Sequence, residues 1–182
     1  MATSRGDSMQ RNFGPIMQIA FVVRDLGAAI DHWTRVMSVG PFFLFEHVPF
    51  SELIFRGQAT QVDMTAALAY SGETQIELIY QHNDAPSIYR EFLGAGRSGV
   101  QHLGVMTDSV DRDLERMAAQ GVEPAQTGRT AWGAHFAYLA TDHDPGGMIE
   151  LIEHGKVIDD AFRQIRDASL RWDGKTRIQS FA

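Results

Sequence analysis

Apolar and polar positions along the chain fall into two series that begin alike and end alike. Residues 14–23 are apolar on both faces, as in a strand buried on both sides. Asp25 then precedes a stretch in which Ala28, Ala29, Ile30, Trp33, Val36 and Met37 stand near helical spacing, stopped by Gly40-Pro41. Residues 42–48, 53–55, 65–70 and 74–80 read as strands, with a turn at Ser71-Gly72. The second series opens with a strand over 100–107. A helix over 111–120 follows, with Leu114, Met117 and Ala118 on one face and Gly121 at its end. Strands over 130–140 and 147–152 come next, separated by the turn-forming run Asp142-His143-Asp144-Pro145-Gly146.

The two series match at both ends. Gln18-Ile19-Ala20-Phe21-Val22-Val23 opens the first and Gln75-Ile76-Glu77-Leu78-Ile79 closes it. His102-Leu103-Gly104-Val105-Met106-Thr107 and Met148-Ile149-Glu150-Leu151-Ile152 do the same in the second, which is shorter inside. A duplicated unit is the simplest account. The expected organisation is an N-terminal segment (1–13), a first module (14–82), a linker with a short helix after Asp84-Ala85-Pro86 (83–98), a second module (99–154), and a C-terminal helix and tail (155–182). The terminal helix spaces Val157, Ile158, Ala161, Phe162 and Ile165 on one face. It has no counterpart in the first series and reads as an appended helix or an oligomer contact.

Side chains alternate across a strand, so each repeated landmark puts one polar residue on a defined face. Gln18 shares its face with Ala20 and Val22, and His102 shares its face with Gly104 and Met106. Glu77 lies with Gln75 and Ile79, and Glu150 with Met148 and Ile152. The opposite faces are apolar and suit packing under helices. Ala20 and Gly104 leave room beside Gln18 and His102. A carboxylate inside an Ile-Glu-Leu-Ile strand is costly to bury, on the order of several kcal/mol, unless a cation, a proton or water answers it. One divalent ion would answer both glutamates. An imidazole, two carboxylates and an amide oxygen suit zinc, nickel, cobalt, manganese or magnesium, and iron less well.

Composition narrows the field without naming a reaction. Of 182 residues, 44% are hydrophobic and 21% charged, as in an ordinary globular chain. The formal charge of −7 comes with no basic run, which argues against a nucleic-acid partner. Arg163 with Arg166 is the kind of local cluster that a phosphate would need. No stretch has the roughly 20 apolar residues that span a bilayer, and residues 1–13 lack an apolar signal core. The chain has no cysteine, so disulfides and thiolate metal sites are excluded, and a cytoplasmic location is the expectation.

The paired modules with Gln18, Glu77, His102 and Glu150 resemble the vicinal oxygen chelate superfamily. That superfamily includes glyoxalase I, methylmalonyl-CoA epimerase, extradiol dioxygenases and antibiotic-resistance binding proteins. The resemblance spans about residues 14–154. It implies an α+β fold in which two paired βαβββ modules form a cupped eight-stranded mixed sheet, with one divalent metal ion in the cup. The ligands would be Gln18 and Glu77 from the first module and His102 and Glu150 from the second, a set similar to one glyoxalase I pattern. It also implies a small-molecule substrate and a homodimer. Where glyoxalase I places an Arg and an Asn for glutathione, this chain has Val22 and Gln81. Residues 48–52 resemble the epimerase segment that supplies a catalytic glutamate, which makes Glu52 a candidate.

The chemistry expected of such a site is proton abstraction α to a carbonyl, in an isomerase, epimerase or lyase. Glu150 is the first candidate for the base, and Glu77 or Glu52 would return the proton. One alternative is extradiol ring cleavage, with Phe42, Phe43, Phe45 and Trp132 lining an aromatic pocket. The other is a cup that binds a hydrophobic molecule without catalysis. Among the remaining histidines, His47 and His135 are candidates to line the cup, with His135 preferred. Tyr70, Tyr80 and Tyr138 are candidate hydrogen-bond partners of a ligand.

Overall fold

In the computed structural model, residues 13–141 and 147–181 are described. The turn expected over 142–146, with His143, lies outside them, as does the polar start before Phe13. The first module comprises β1 (Ile16–Val22), α1 (Leu26–Arg35), β2 (Phe42–Phe45), β3 (Phe50–Phe55), β4 (Gln58–Ala59), β5 (Met64–Ser71) and β6 (Thr74–Gln81). A short helix α2 (Ile88–Gly94) connects it to β7 (Gly99–Thr107), α3 (Val110–Ala118), β8 (Pro124–Thr130), β9 (His135–Leu139) and β10 (Met148–Glu153). The chain continues through α4 (Lys156–Leu170) to β11 (Ile178–Gln179).

All strands join one mixed sheet in the order β11-β2-β5-β6-β1-β7-β10-β9-β8-β3-β4. The fold is α+β, and its centre carries the duplication. β2-β5-β6-β1 on one side is repeated as β8-β9-β10-β7 on the other, with β1 parallel to β6, β7 parallel to β10, and the two halves joined antiparallel through β1 and β7. Eight strands were expected; among the described residues the sheet has eleven. The three additions lie at the two ends of the sheet: β11 pairs with β2, and the β3–β4 hairpin leaves the first module to pair with β8 of the second.

Each module helix starts where a polar side chain caps it. Asp25 accepts from the Ala28 amide and Ser109 from the Arg112 amide, supplying acceptors to otherwise unpaired first-turn N–H groups. Ile30 of α1 packs on Ala67, Ile76 and Leu78; Val110 and Met117 of α3 pack on Val105, Ala137 and Leu151. These are the alternate residues that the sequence assigns to the helix-facing side. The other face forms the concave surface.

Two elements depart from expectation. The strand Pro124–Thr130 has no apolar alternation to announce it. It holds because it is paired on both sides, to β9 and β3. A Cβ at Gly128 would collide with Phe136 and Leu53, so a bare residue is needed where these core side chains pack. The terminal helix does not stand apart. Its Phe162, Ile165 and Ala168 pack on Phe43, Leu68 and Tyr70, and Ser169 Oγ accepts from the Tyr70 amide. Of the face expected to be apolar, Ile165 is buried against the sheet, while Val157 at its start stays exposed. Arg163 and Arg166 are ion-paired with Asp160 and Glu73. Among the described residues, no helix is long and apolar enough to cross a membrane.

Candidate metal centre

Register places the four expected ligands on two adjacent rows of the concave face. One row runs Glu77–Ala20–His102–Met148 across β6, β1, β7 and β10. The next runs Gln75–Gln18–Gly104–Glu150 across the same strands. The residue between Glu77 and His102 is Ala20, and the residue between Gln18 and Glu150 is Gly104. Neighbouring strands lie ~4.8 Å apart, so only side chains leaning over a small middle residue can converge.

They do converge. One ligand atom each from Glu77, His102 and Glu150 lies within 4.8 Å of the others. His102 Nε2 is 3.4 Å from Glu77 Oε2 and 3.2 Å from Glu150 Oε2. These are ion-pair distances without hydrogen-bond directionality: His102 Nε2, Glu77 Oε2 and Gln18 Oε1 are all buried with no hydrogen-bond partner. Such atoms are rare in folded proteins and call for an explanation. Gln18 lines the same cavity. Its Nε2 donates to Gln75 Oε1 at 2.7 Å, and Gln75 Nε2 donates to Tyr70 Oη at 3.1 Å, which leaves the Gln18 oxygen bare.

The imidazole is oriented by a residue that the sequence did not single out. A β-bulge in β7 brings Gln101 beside His102, and Gln101 Oε1 lies 2.6 Å from His102 Nδ1. Gln101 Nε2 faces Met148 Sδ at 3.1 Å, so its oxygen is the atom offered to the ring. Nδ1 therefore carries the proton and Nε2 turns to the carboxylates, the arrangement found behind metal-bound histidines. A bulge leaves no mark in the alternation, so no sequence signal pointed to Gln101.

Electrostatics match this geometry. Burial alone would lower the His102 pKa, but the Glu150 and Glu77 carboxylates outweigh it and push it up to about 9. Burial raises the Glu77 pKa, and the neighbouring Glu150 adds to this, against the lowering effect of His102. Without a metal, a proton on His102 Nε2 is the positive charge that faces the Glu77 and Glu150 carboxylates. One positive charge against two negative ones suits replacement by a divalent cation. The residues present thus fit a metal ion of borderline character.

The rest of the cavity is largely apolar, walled by Phe45, Phe50, Trp132, Phe136 and Phe162. Two phenols stand among them: Tyr89 and Tyr138 share a hydrogen bond of 2.9 Å, and burial pushes both hydroxyls well above their usual range. Tyr138 was a candidate from the sequence. Tyr89, on a short linker helix, was not.

Other expected residues lie elsewhere. Phe42 packs under α1 and Phe43 under α4, so neither lines the cavity. Glu52 is exposed, across from Arg129 on β8, and does not line the cavity with the other glutamates. A register shift between Phe50 and Glu52 lets Phe50 face in while Ser51 and Glu52 both face out. His135 borders the cavity, but its ring is bonded to Glu153 Oε2 at 3.0 Å, which also accepts the first amide of α3. His47 is exposed. Val22 is fully buried, and Gln81 is spent on Ser87, Asn83 and Ala85.

Comparison with known proteins agrees with this architecture. The profile described as the Glyoxalase/Bleomycin resistance protein/Dioxygenase superfamily matches residues 17–138. The chain belongs to that superfamily. Similar solved structures include hypothetical protein BH1468 from Bacillus halodurans C-125 (18% identity, TM-score 0.58, covering 78% of this chain and 95% of that one). Methylmalonyl-CoA epimerase from Mycobacterium tuberculosis is comparable (18%, 0.57, 83% and 95%). So is a Streptomyces coelicolor methylmalonyl-CoA epimerase variant in complex with 2-nitronate-propionyl-CoA (18%, 0.51, 79% and 96%). At this identity the likeness concerns the fold. No curated protein matches the chain.

Proposed function

We propose that this chain is a divalent-metal-dependent enzyme that removes a proton from the carbon α to a carbonyl of a small, largely apolar substrate. It would act as an isomerase, epimerase or lyase. One observation carries the reading: Glu77, His102 and Glu150 bring ligand atoms together beside an apolar cavity, where atoms of Glu77, His102 and Gln18 are buried without a hydrogen-bond partner. Glu77, His102 and Glu150 would hold the ion, with the bare oxygen of Gln18 as the fourth ligand. The ion, when bound, stabilises negative charge developing on the substrate oxygen.

The remaining work falls to this chain's own residues. Glu150 is the proposed base, and Glu77 the acid on the opposite side of the substrate. Tyr89 and Tyr138 stay neutral; one phenol proton makes the bond between them, and the other is left to donate to a carbonyl or enolate oxygen. The aromatic wall excludes water and selects an apolar or aromatic substituent. Glu52 faces solvent and receives no role in this scheme.

The ring-cleavage alternative fits less well, because the cluster in the cavity offers one imidazole where that chemistry uses two. Non-catalytic binding keeps one observation in its favour, the apolar wall. Metal analysis combined with solvent exchange decides between them. Protein purified from cells should hold one zinc, nickel, cobalt or manganese in the cavity. It should also incorporate deuterium from heavy water into members of a panel of small 2-oxo and dicarbonyl compounds. Glu150→Gln should retain the fold and lose the exchange. A metal-free protein whose melting temperature ignores all four ions would overturn the proposal.

A further inference from the structure

Outside the cavity, a second group of ligand-type side chains comes together on three separate segments. His47 sits in the turn between β2 and β3, Asp63 just before β5, and His82 just after β6. One ligand atom from each lies within 4.8 Å of the others. His47 Nδ1 is 2.6 Å from Asp63 Oδ1, and the His47 and His82 rings stack at 4.8 Å with 27° between their planes.

The surroundings hold these groups in place. The His82 amide donates to the Asp63 carbonyl at 2.8 Å, and the Asp63 amide to Asn83 Oδ1 at 3.1 Å. His82 Nε2 lies 2.8 Å from Thr65 Oγ1. A proton on that nitrogen, donated to the hydroxyl, leaves Nδ1 with a free lone pair, the outer-partner arrangement that orients metal-binding imidazoles. His47 has a φ of +48°, a left-handed conformation uncommon outside glycine. Here it folds the ring back over Asp63. Among the described residues, the one ion pair of the Asp63 carboxylate is with His47.

We propose that His47, Asp63 and His82 form a second divalent-cation site, on the outer surface and built from residues that do not line the cavity. Two imidazole nitrogens and a carboxylate oxygen make a three-ligand set with room for water, which suits zinc. Binding there would couple to the cavity through the chain itself. Val48 and Phe50, next to His47, wall the cavity, and the Val48 amide is tied to the Met64 carbonyl. An ion joining His47 to Asp63 and His82 would fasten this turn and fix that wall.

The test is a zinc titration of the full chain labelled with ¹⁵N-histidine, with stoichiometry measured in parallel by dialysis and elemental analysis. The expected result is two zinc ions per chain, with the ring nitrogens of His47 and His82 shifting as the second ion binds. His47→Gln and His82→Gln should each leave one ion bound. Glu77→Gln combined with Glu150→Gln should also leave one, and His82→Gln added to that pair should leave none. Unmoved His47 and His82 signals at saturation, or a stoichiometry unchanged in both single histidine variants, would overturn the second site. Because the two sites are removed by different substitutions, failure at the surface leaves the cavity reading standing, and the reverse.

Discussion

Gln18 and Gly104 are direct partners across the junction of the two modules, and the side-chain oxygen of Gln18 occupies the space that a Cβ on residue 104 would fill. The absence of a side chain at one position lets the amide of the other lie flat over the strand. Its oxygen is then buried and unpaired on the face that carries Glu77, His102 and Glu150. A glycine in the middle of a strand weakens that strand, so its presence there fits a close approach.

Gly104→Ala should therefore displace Gln18. Crowding the junction is expected to cost about 1–3 kcal/mol of stability. Metal affinity should fall further than stability, because the amide oxygen leaves the concave face. Chemical denaturation and a zinc titration on the same variant check this. Affinity equal to that of the unaltered protein would remove Gln18 from the ligand set.

Gln101→Leu removes the acceptor behind His102 without touching a ligand. Zinc affinity is expected to drop by about 10- to 100-fold, as for other residues that orient a metal-binding histidine. Gln101→Glu keeps an acceptor and should recover much of the loss. A purely packing role would leave the leucine variant's zinc affinity intact, and the ¹⁵N signal of His102 Nδ1 would not move.

What the sequence made legible was alternation. It placed Gln18, Glu77, His102 and Glu150 on one side of their strands and the helix-facing apolar residues on the other. It also marked Ala20 and Gly104 as small neighbours, and both lie between ligand positions. What it hid were features that break the period. The bulge at Gln101 and the register shift beside Glu52 both change which way a residue faces without changing its type. The strand at 124–130 is polar because it is held by pairing on both sides, and the inward turn of α4 depends on contacts distant in sequence. His135 was a candidate to line the cup and does border the cavity, but its bond to Glu153 links residues distant in sequence that alternation alone could not pair.

The metal-free protein should lose stability as pH rises. His102 has a pKa of about 9 in the folded chain against about 6.5 when unfolded. Its contribution is fully present below about pH 6.5 and is lost as pH rises through 9; the shift corresponds to about 3 kcal/mol. Glu77, also raised, acts with the same sign from lower pH, its share being lost as pH climbs through its folded value. Metal binding displaces the Nε2 proton, so zinc affinity should strengthen by up to about tenfold per pH unit until His102 has titrated. Denaturation midpoints from pH 6 to 10, with and without zinc, measure both slopes. A metal-free protein that gains stability over that range contradicts the assignment.

Two residues on α4 separate the helix's structural role from its role at the cavity. Ile165 is fully buried against Phe43, Leu68 and Tyr70 and does not line the cavity, whereas Phe162, one turn earlier, does. Ile165→Ala should cost about 2–5 kcal/mol, the usual range for emptying a packed core position. It should leave the affinity for a small apolar ligand unchanged in the folded fraction. Phe162→Ala should cost less stability, because this side chain is only partly buried, and it should widen the site. Ligand preference would then move toward bulkier apolar groups, read as a change in the rank order of a fluorescent aromatic probe series. If both variants alter that rank order equally, the helix shapes the site only by holding the fold together, and Phe162 is not part of the wall that selects substrate.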